Sequence, residues 1–164
     1  LERLLALPFM RLSYSEAIPK LQSLGSAIQF GDDLGATDEE LLTKDSLVPV
    51  FVHTWPKTIK PFYMKQDPNN PELVLNDDLI GIENAGEVIG GSIREDDYET
   101  LKANIDKQGL TGPEYEWYLD LRKYGSVPHG GFGLGLERMV RWISGVEHIR
   151  ETIPFPRLIN RVRP

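Results

Sequence analysis

The sequence predicts an α+β domain: an antiparallel β-sheet with helices packed against it. Strand-like runs joined by short links crowd the stretch from Leu47 to Arg94, helical spacing takes over from about residue 96, and one last strand runs straight into a helix near the C-terminus. Close succession of strands before the helices suits antiparallel neighbours better than alternating β–α units.

Residues 1–46 read as a helical and loop segment, insertion-like, ahead of the sheet. Leu12, Ala17, Ile18 and Leu21 recur at helical spacing over 11–24, with Pro19 expected to break or kink that helix. Residues 25–46 are acidic and glycine-containing, with a short helix expected near Asp38–Leu42. From Leu47 the strand candidates are VPVFVHTW, FYMK at 62–65, ELVLNDDLIGI at 72–82 and GEVIGGSIR at 86–94. DPNNP at 67–71 is a turn, since proline presets φ and asparagine bonds its own backbone. A helix over 96–107 has Asp96 or Asp97 to cap it and Gly109 to stop it. Another over 113–123 has Pro113 in its first turn, where the missing N–H costs nothing.

Composition narrows the class. At 40 % apolar and 26 % charged residues, the 164 residues make an ordinary globular chain long enough for a real core. A net charge of −7 argues against a nucleic-acid-binding face within this stretch. Arg157, Arg161 and Arg163 form a local basic cluster that reads as a solvated tail. No cysteine occurs, so disulfides, thiolate metal sites and cysteine nucleophiles are excluded here. His53 and His148 are isolated, and His129 reads as a turn residue, so a transition-metal site is not expected. The apolar runs are too short to span a membrane, and LERLLALPFM lacks a signal-peptide layout. The cytoplasm, or an organelle matrix after processing, is the expected location.

GFGLGLERMVRWISG, residues 131–145, is the most informative segment. Gly131, Gly133 and Gly135 alternate with Phe132, Leu134 and Leu136, so one strand face is bare backbone and the other apolar. Bare positions weaken a strand, which points to something flat lying against them. Leu136, Met139, Val140 and Ile143 then follow at helical spacing, and Gly145 stops the helix. Arg138, in the first turn, opposes the helix dipole by about 0.3–1 kcal/mol. An anion there would reverse that cost, because free N–H groups and the guanidinium both favour it. A nucleotide with its base on the glycines and its phosphates near Arg138 accounts for both features; a plain strand–helix corner is the alternative. The dinucleotide fingerprint GxGxxG is excluded, since Leu136 occupies its last glycine position.

The second constellation is GEVIGGSIR. Seven positions separate Glu87 from Arg94, so strict alternation would place them on opposite faces. Both serve one site only if the strand slips by one residue between them, and Gly90-Gly91 is where a bulge is cheapest. A surface salt bridge is the alternative.

GFGLGLERMVRWISG resembles motif 3 of the class II aminoacyl-tRNA synthetases. The run from Tyr124 through PHGGFGLGLER to IPFPR at 153–157 is similar to the aspartate–asparagine–lysine subgroup, and GEVIGGSIR brings it nearest the asparagine-charging members. The resemblance is strong from about Val48 to Pro164. It implies part of a class II catalytic fold, with residues 47–164 as the active-site sheet, an ATP cofactor with Mg2+, and asparagine activated and passed to tRNA(Asn) by a homodimer. Glu87, Gly133, Gly135, Leu136, Glu137 and Arg138 would contact ATP, Arg138 as the catalytic residue. Gly90 and Arg94 would hold the amino acid, and Asp78 with Glu87 the Mg2+, Asp77 being the neighbouring alternative. Family members also carry an anticodon-binding barrel and motifs 1 and 2, for which no counterpart is found. The chain, which begins at Leu1, is therefore expected to be the C-terminal half of a catalytic domain, inactive alone. An aspartate-charging enzyme, a synthetase-like asparagine synthetase and a non-catalytic paralogue or binding module remain as alternatives.

Overall fold

A computed structural model describes residues 2–110, 112–160 and 163; Arg161 of the basic tail lies outside them. After a short helix α1 (Glu2–Ala6), strand β1 (Met10–Ser13) leads into helix α2 (Tyr14–Ser23), and α3 (Ala36–Thr43) follows. Strands β2 (Val50–His53), β3 (Gln66–Asp67), β4 (Asn70–Val74), β5 (Asn76–Gly81) and β6 (Gly86–Ile93) come next. Helices α4 (Tyr98–Lys107) and α5 (Glu116–Lys123) precede strand β7 (Gly130–Leu134) and helix α6 (Leu136–Ser144). The main sheet has five strands in the order β1-β2-β5-β6-β7, and β3-β4 form a separate hairpin. No helix among the described residues is long and apolar enough to cross a membrane.

The N-terminal segment departs from expectation. Its helix starts at Tyr14, because Ser13 and Glu16 form a reciprocal cap: the Ser13 hydroxyl accepts from the Glu16 N–H at 3.3 Å, and the Glu16 carboxylate accepts from the Ser13 N–H at 2.8 Å. That cap leaves Met10–Ser13 extended and free to pair with β2, in parallel, so the sheet is antiparallel at every other junction but not at this one. Helix α2 continues through Pro19. Residues before 47 are also part of the core rather than an appendage: Tyr14, Ala17, Ile18, Leu21 and Leu42 are buried with Val50, Val52, Trp55 and Ile80.

Elsewhere the sequence signals act locally as expected. Asp97 caps α4, its carboxylate accepting from the Thr100 N–H at 2.8 Å, and Gly109 and Gly145 adopt the left-handed conformation after their helices. FYMK is not a strand; Met64 makes only an isolated bridge, to Arg94. The run 72–82 divides between β4 and β5, which belong to different sheets.

The register positions the site. One cross-strand row runs Leu12, Val52, Asp78, Gly90, Gly133, passing from apolar side chains through a carboxylate to two glycines. On that face the β1–β2 side carries the main core, and the β5–β6–β7 side is left open. The opposite face carries Phe51, Leu79 and Ile89, which pack with Phe9, Val88 and Trp142 in a smaller cluster. Among the described residues β7 pairs only with β6, and Phe132, expected on a greasy face, is 69 % exposed. Helix α6 likewise buries none of its residues, despite its apolar stripe.

Candidate active site

Glu87 in β6 and Arg94, the residue just after that strand, lie on the same face of the sheet. The ladder slips between Leu79, opposite Ile89, and Ile80, opposite Glu87, so Val88 is the extra residue. Val88 and Ile89 accordingly pack into the same small cluster behind the sheet. The slip therefore occurs at Val88, not at Gly90-Gly91 as the sequence suggested. Glycine at 90 has another use. A Cβ there would stand 2.8 Å from Glu87 Oε1 and 3.4 Å from Asp78 Oδ1, so the two carboxylates lean over its bare backbone. Asp77 belongs to the other face, where its carboxylate reaches over Gly91 next to Phe132.

The remaining glycines divide their tasks. The space above Gly133 is open to at least 4 Å, while Arg94 reaches over Gly131, its Nη2 being 3.2 Å from where a Cβ would sit. Arg94 is fixed by donating to the Ser92 hydroxyl and by stacking on Tyr63, 4.7 Å from the ring centre. Gly135 ends the strand and caps α6, lying against the aliphatic stem of Arg138. Leu136 and Glu137 are exposed on the first turn. Arg138 points its guanidinium at the backbone carbonyl of Glu87.

Charges converge here from distant parts of the chain. Lys60 Nζ is 2.8 Å from Asp78 Oδ2 and 3.9 Å from Asp33, and it rests on Trp55, 3.7 Å from the ring centre. The Glu39 carboxylate, from α3, accepts from the Glu87 N–H at 3.1 Å. Burial pushes the Asp78 carboxyl up to about 6, Glu87 and Asp33 adding to the rise, while Lys60 opposes it. Burial also raises Glu87 and Glu39, against the pull of Lys60 and Arg138 on the former and of the Glu87 N–H and Arg138 on the latter. The open face thus combines paired carboxylates, fixed cations and a flat glycine floor.

Lys60, Glu39, Ser92 and Tyr63 escaped the sequence reading as separate site residues. Lys60 and Asp78 are 18 positions apart and Glu39 and Glu87 are 48 apart. No local spacing links such pairs; only the fold does. Ser92 could have been found, since it shares its strand face with Arg94 two residues on.

The chain matches the family model described as tRNA synthetases class II (D, K and N) over residues 3–159. It is 54 % identical over 156 residues to the asparagine--tRNA ligase of Lactobacillus johnsonii, covering 95 % of this chain and 36 % of that protein. With the asparagine--tRNA ligase of Pyrococcus furiosus it shares 56 % over 157 residues, again 36 % of the relative. It superposes on the asparaginyl-tRNA synthetase of Pyrococcus horikoshii complexed with asparaginyl-adenylate with a TM-score of 0.92 and 54 % identity, covering 96 % of this chain and 36 % of that one. For the aspartyl-tRNA synthetase of Entamoeba histolytica the TM-score is 0.87 and the identity 30 %, over 96 % of this chain and 33 % of that one. The chain spans about a third of the length of the relatives it matches. The α+β fold, the glycine-floored strand running into α6 and the match over nearly the whole chain agree: it belongs to the class II tRNA synthetase family that serves aspartate, lysine and asparagine.

Proposed function

We propose that this chain supplies part of an active site that activates asparagine with ATP and charges tRNA(Asn). The observation that carries the reading is the placement of Asp78, Glu87, Arg94, Gly131 and Gly133 on one open face of three adjacent strands. The preference for asparagine over aspartate rests on relatives: 54–56 % identity to asparagine ligases against 30 % to the aspartyl enzyme.

In the reaction, an oxygen of the asparagine α-carboxylate bonds to the α-phosphorus of ATP as the bond to the bridging oxygen breaks and pyrophosphate leaves. A ribose hydroxyl at the tRNA end then attacks the carbonyl carbon and AMP leaves. The protein aligns groups and neutralises charge and need not attack anything itself. The flat space over Gly133 takes the adenosine, with Gly135, Leu136 and Glu137 bordering it. Arg138 swings from the Glu87 carbonyl to the phosphates. Arg94, braced by Ser92 and Tyr63, donates to the side-chain carbonyl oxygen of asparagine, and Gly90 leaves room beside it.

The residues present fit Mg2+. Among the described residues no group of three or more carboxylates or histidines closes on one point. Mg2+ asks for less: one or two carboxylates, with phosphate oxygens and water completing the shell. Asp78 and Glu87 would hold it, both leaning over Gly90. When bound, the ion offsets phosphate charge that would repel the incoming carboxylate. The full-length enzyme works as a homodimer in the cytoplasm; the apolar side chains that β7 and α6 leave exposed call for a covering surface, from the rest of the polypeptide or from a second copy.

The test is ATP–pyrophosphate exchange by the full-length polypeptide with asparagine or aspartate. Asparagine-dependent exchange supports the proposal. Exchange with aspartate alone reassigns the substrate, and no exchange with either amino acid removes the activity.

A further inference from the structure

Glu87 is the bulge-side neighbour of Val88, and both of its main-chain polar groups are held by charged side chains from helices. Its N–H donates to Glu39 Oε2 at 3.1 Å, and its carbonyl accepts from Arg138. Glu39 comes from α3 and Arg138 from α6, and the two approach the strand as opposite charges. The chain also leaves space for this contact. Gly86 has φ +73°, and a Cβ on it would stand 3.0 Å from Glu39 Oε2. A side chain at 86 would push Glu39 away as well as strain the backbone.

A bulge is a weak point of a ladder, because the extra residue disrupts regular pairing and lets the strand bend. Here the slip at Val88 is what brings the Glu87 carboxylate over Gly90 beside Asp78. We propose that Glu39 is a positioning residue, whose carboxylate oxygen, by accepting the Glu87 N–H, holds the bulged peptide so that the Glu87 side chain stays over Gly90 beside Asp78. This rests on the proposed role of Asp78 and Glu87 toward a divalent cation escorting a nucleotide. Glu39 acts as a hydrogen-bond acceptor there, and its negative charge is not what the contact requires.

That last point makes the inference testable in the full-length protein. Glu39→Met keeps the length of the side chain without an acceptor, Glu39→Ala removes both, and Glu39→Gln retains an acceptor oxygen without the charge. Two quantities are read: hydrogen–deuterium exchange of the peptide spanning Glu87 in the ligand-free protein, and the Mg2+ concentration at the midpoint of ATP binding. Outer partners of metal-binding side chains are worth about 10–100-fold in metal affinity. Glu39→Met and Glu39→Ala are expected to speed exchange at Glu87 and raise the Mg2+ midpoint about tenfold, with a much smaller change in asparagine KM. Glu39→Gln is expected to restore both quantities. If Glu39→Ala fails to fold, Glu39→Met carries the test. A glutamine variant as impaired as the methionine variant would overturn the inference, making the charge the active element. Faster exchange with an unchanged midpoint would also overturn it, leaving only a structural contact. A native protein whose ATP binding ignores Mg2+ would remove the underlying reading instead, whatever the variants do.

Discussion

Lys60 and Asp78 meet at 2.8 Å on the floor of the site, with the lysine ammonium lying over the ring of Trp55. Both side chains are largely out of water, at 11 % and 6 % exposure, so each depends on the other. Breaking such a pair from one side costs up to about 3–5 kcal/mol, unless the abandoned charge neutralises itself. Lys60→Met is therefore expected to destabilise the protein most at pH values where Asp78 must stay ionised. Melting curves of the variant and the native protein across pH, in chelator, check this; an equal loss at all pH values would contradict it.

Asp78 gives this region a pH dependence of definite sign. Burial raises its carboxyl from 3.8 to about 6, so the native state holds the proton more tightly than the unfolded state. Its contribution to stability is full below 3.8 and is lost as pH rises through about 6. Asp78→Asn, measured without divalent cation, is expected to flatten the fall in melting temperature over that window. A native-like slope in Asp78→Asn would place the pH dependence elsewhere.

Gly133 separates fold from function more cleanly than the other glycines. Nothing lies within 4 Å of the position a Cβ would take. Gly133→Val is expected to leave the melting temperature unchanged or slightly higher, since β-branched residues suit strands. The same methyl groups would occupy the space assigned to adenosine, so the KM for ATP should rise at least about tenfold, the equivalent of 1.4 kcal/mol. An unchanged KM would move the nucleotide off this strand.

Arg138 is exposed; it donates to the Glu87 backbone carbonyl and pulls electrostatically on the Glu87 and Glu39 carboxylates. Arg138→Ala is expected to alter melting only slightly. Loss of a charge-assisted contact to phosphate should weaken ATP-dependent activation by about 1.5–3 kcal/mol. A large drop in melting temperature with normal ATP kinetics would make Arg138 a structural residue.

Much of this was legible in the sequence where the cause is local. The alternation of glycines, the stop at Gly145 and the cap at Asp97 each depend on neighbours within a few residues. The slip between Glu87 and Arg94 was legible only as a condition: their odd spacing puts them on opposite faces unless the strand slips, so a shared site requires one. Its location was not, since conformational freedom pointed to Gly90-Gly91, whereas Gly90 is needed for the space the two carboxylates occupy. Strand β1 was hidden because four residues of mixed character carry no clear period, and its partner β2 lies 40 positions later in the register. Lys60 and Glu39 were beyond reach for the same reason, being brought to the site only by tertiary packing.

Arg94 and the Glu87–Asp78 pair are proposed to serve one site, with the arginine on the amino acid and the carboxylates on the nucleotide side. Arg94→Lys keeps the charge but loses the planar fork that matches a carbonyl oxygen. A pocket that bonds its substrate's polar tip loses discrimination sharply when one partner is misplaced. The most direct measurement is therefore pyrophosphate exchange by full-length Arg94→Lys, with asparagine and ATP varied in turn. The expected result is a KM for asparagine raised far more than the KM for ATP. Normal asparagine kinetics, or an equal rise in both, would contradict the claim.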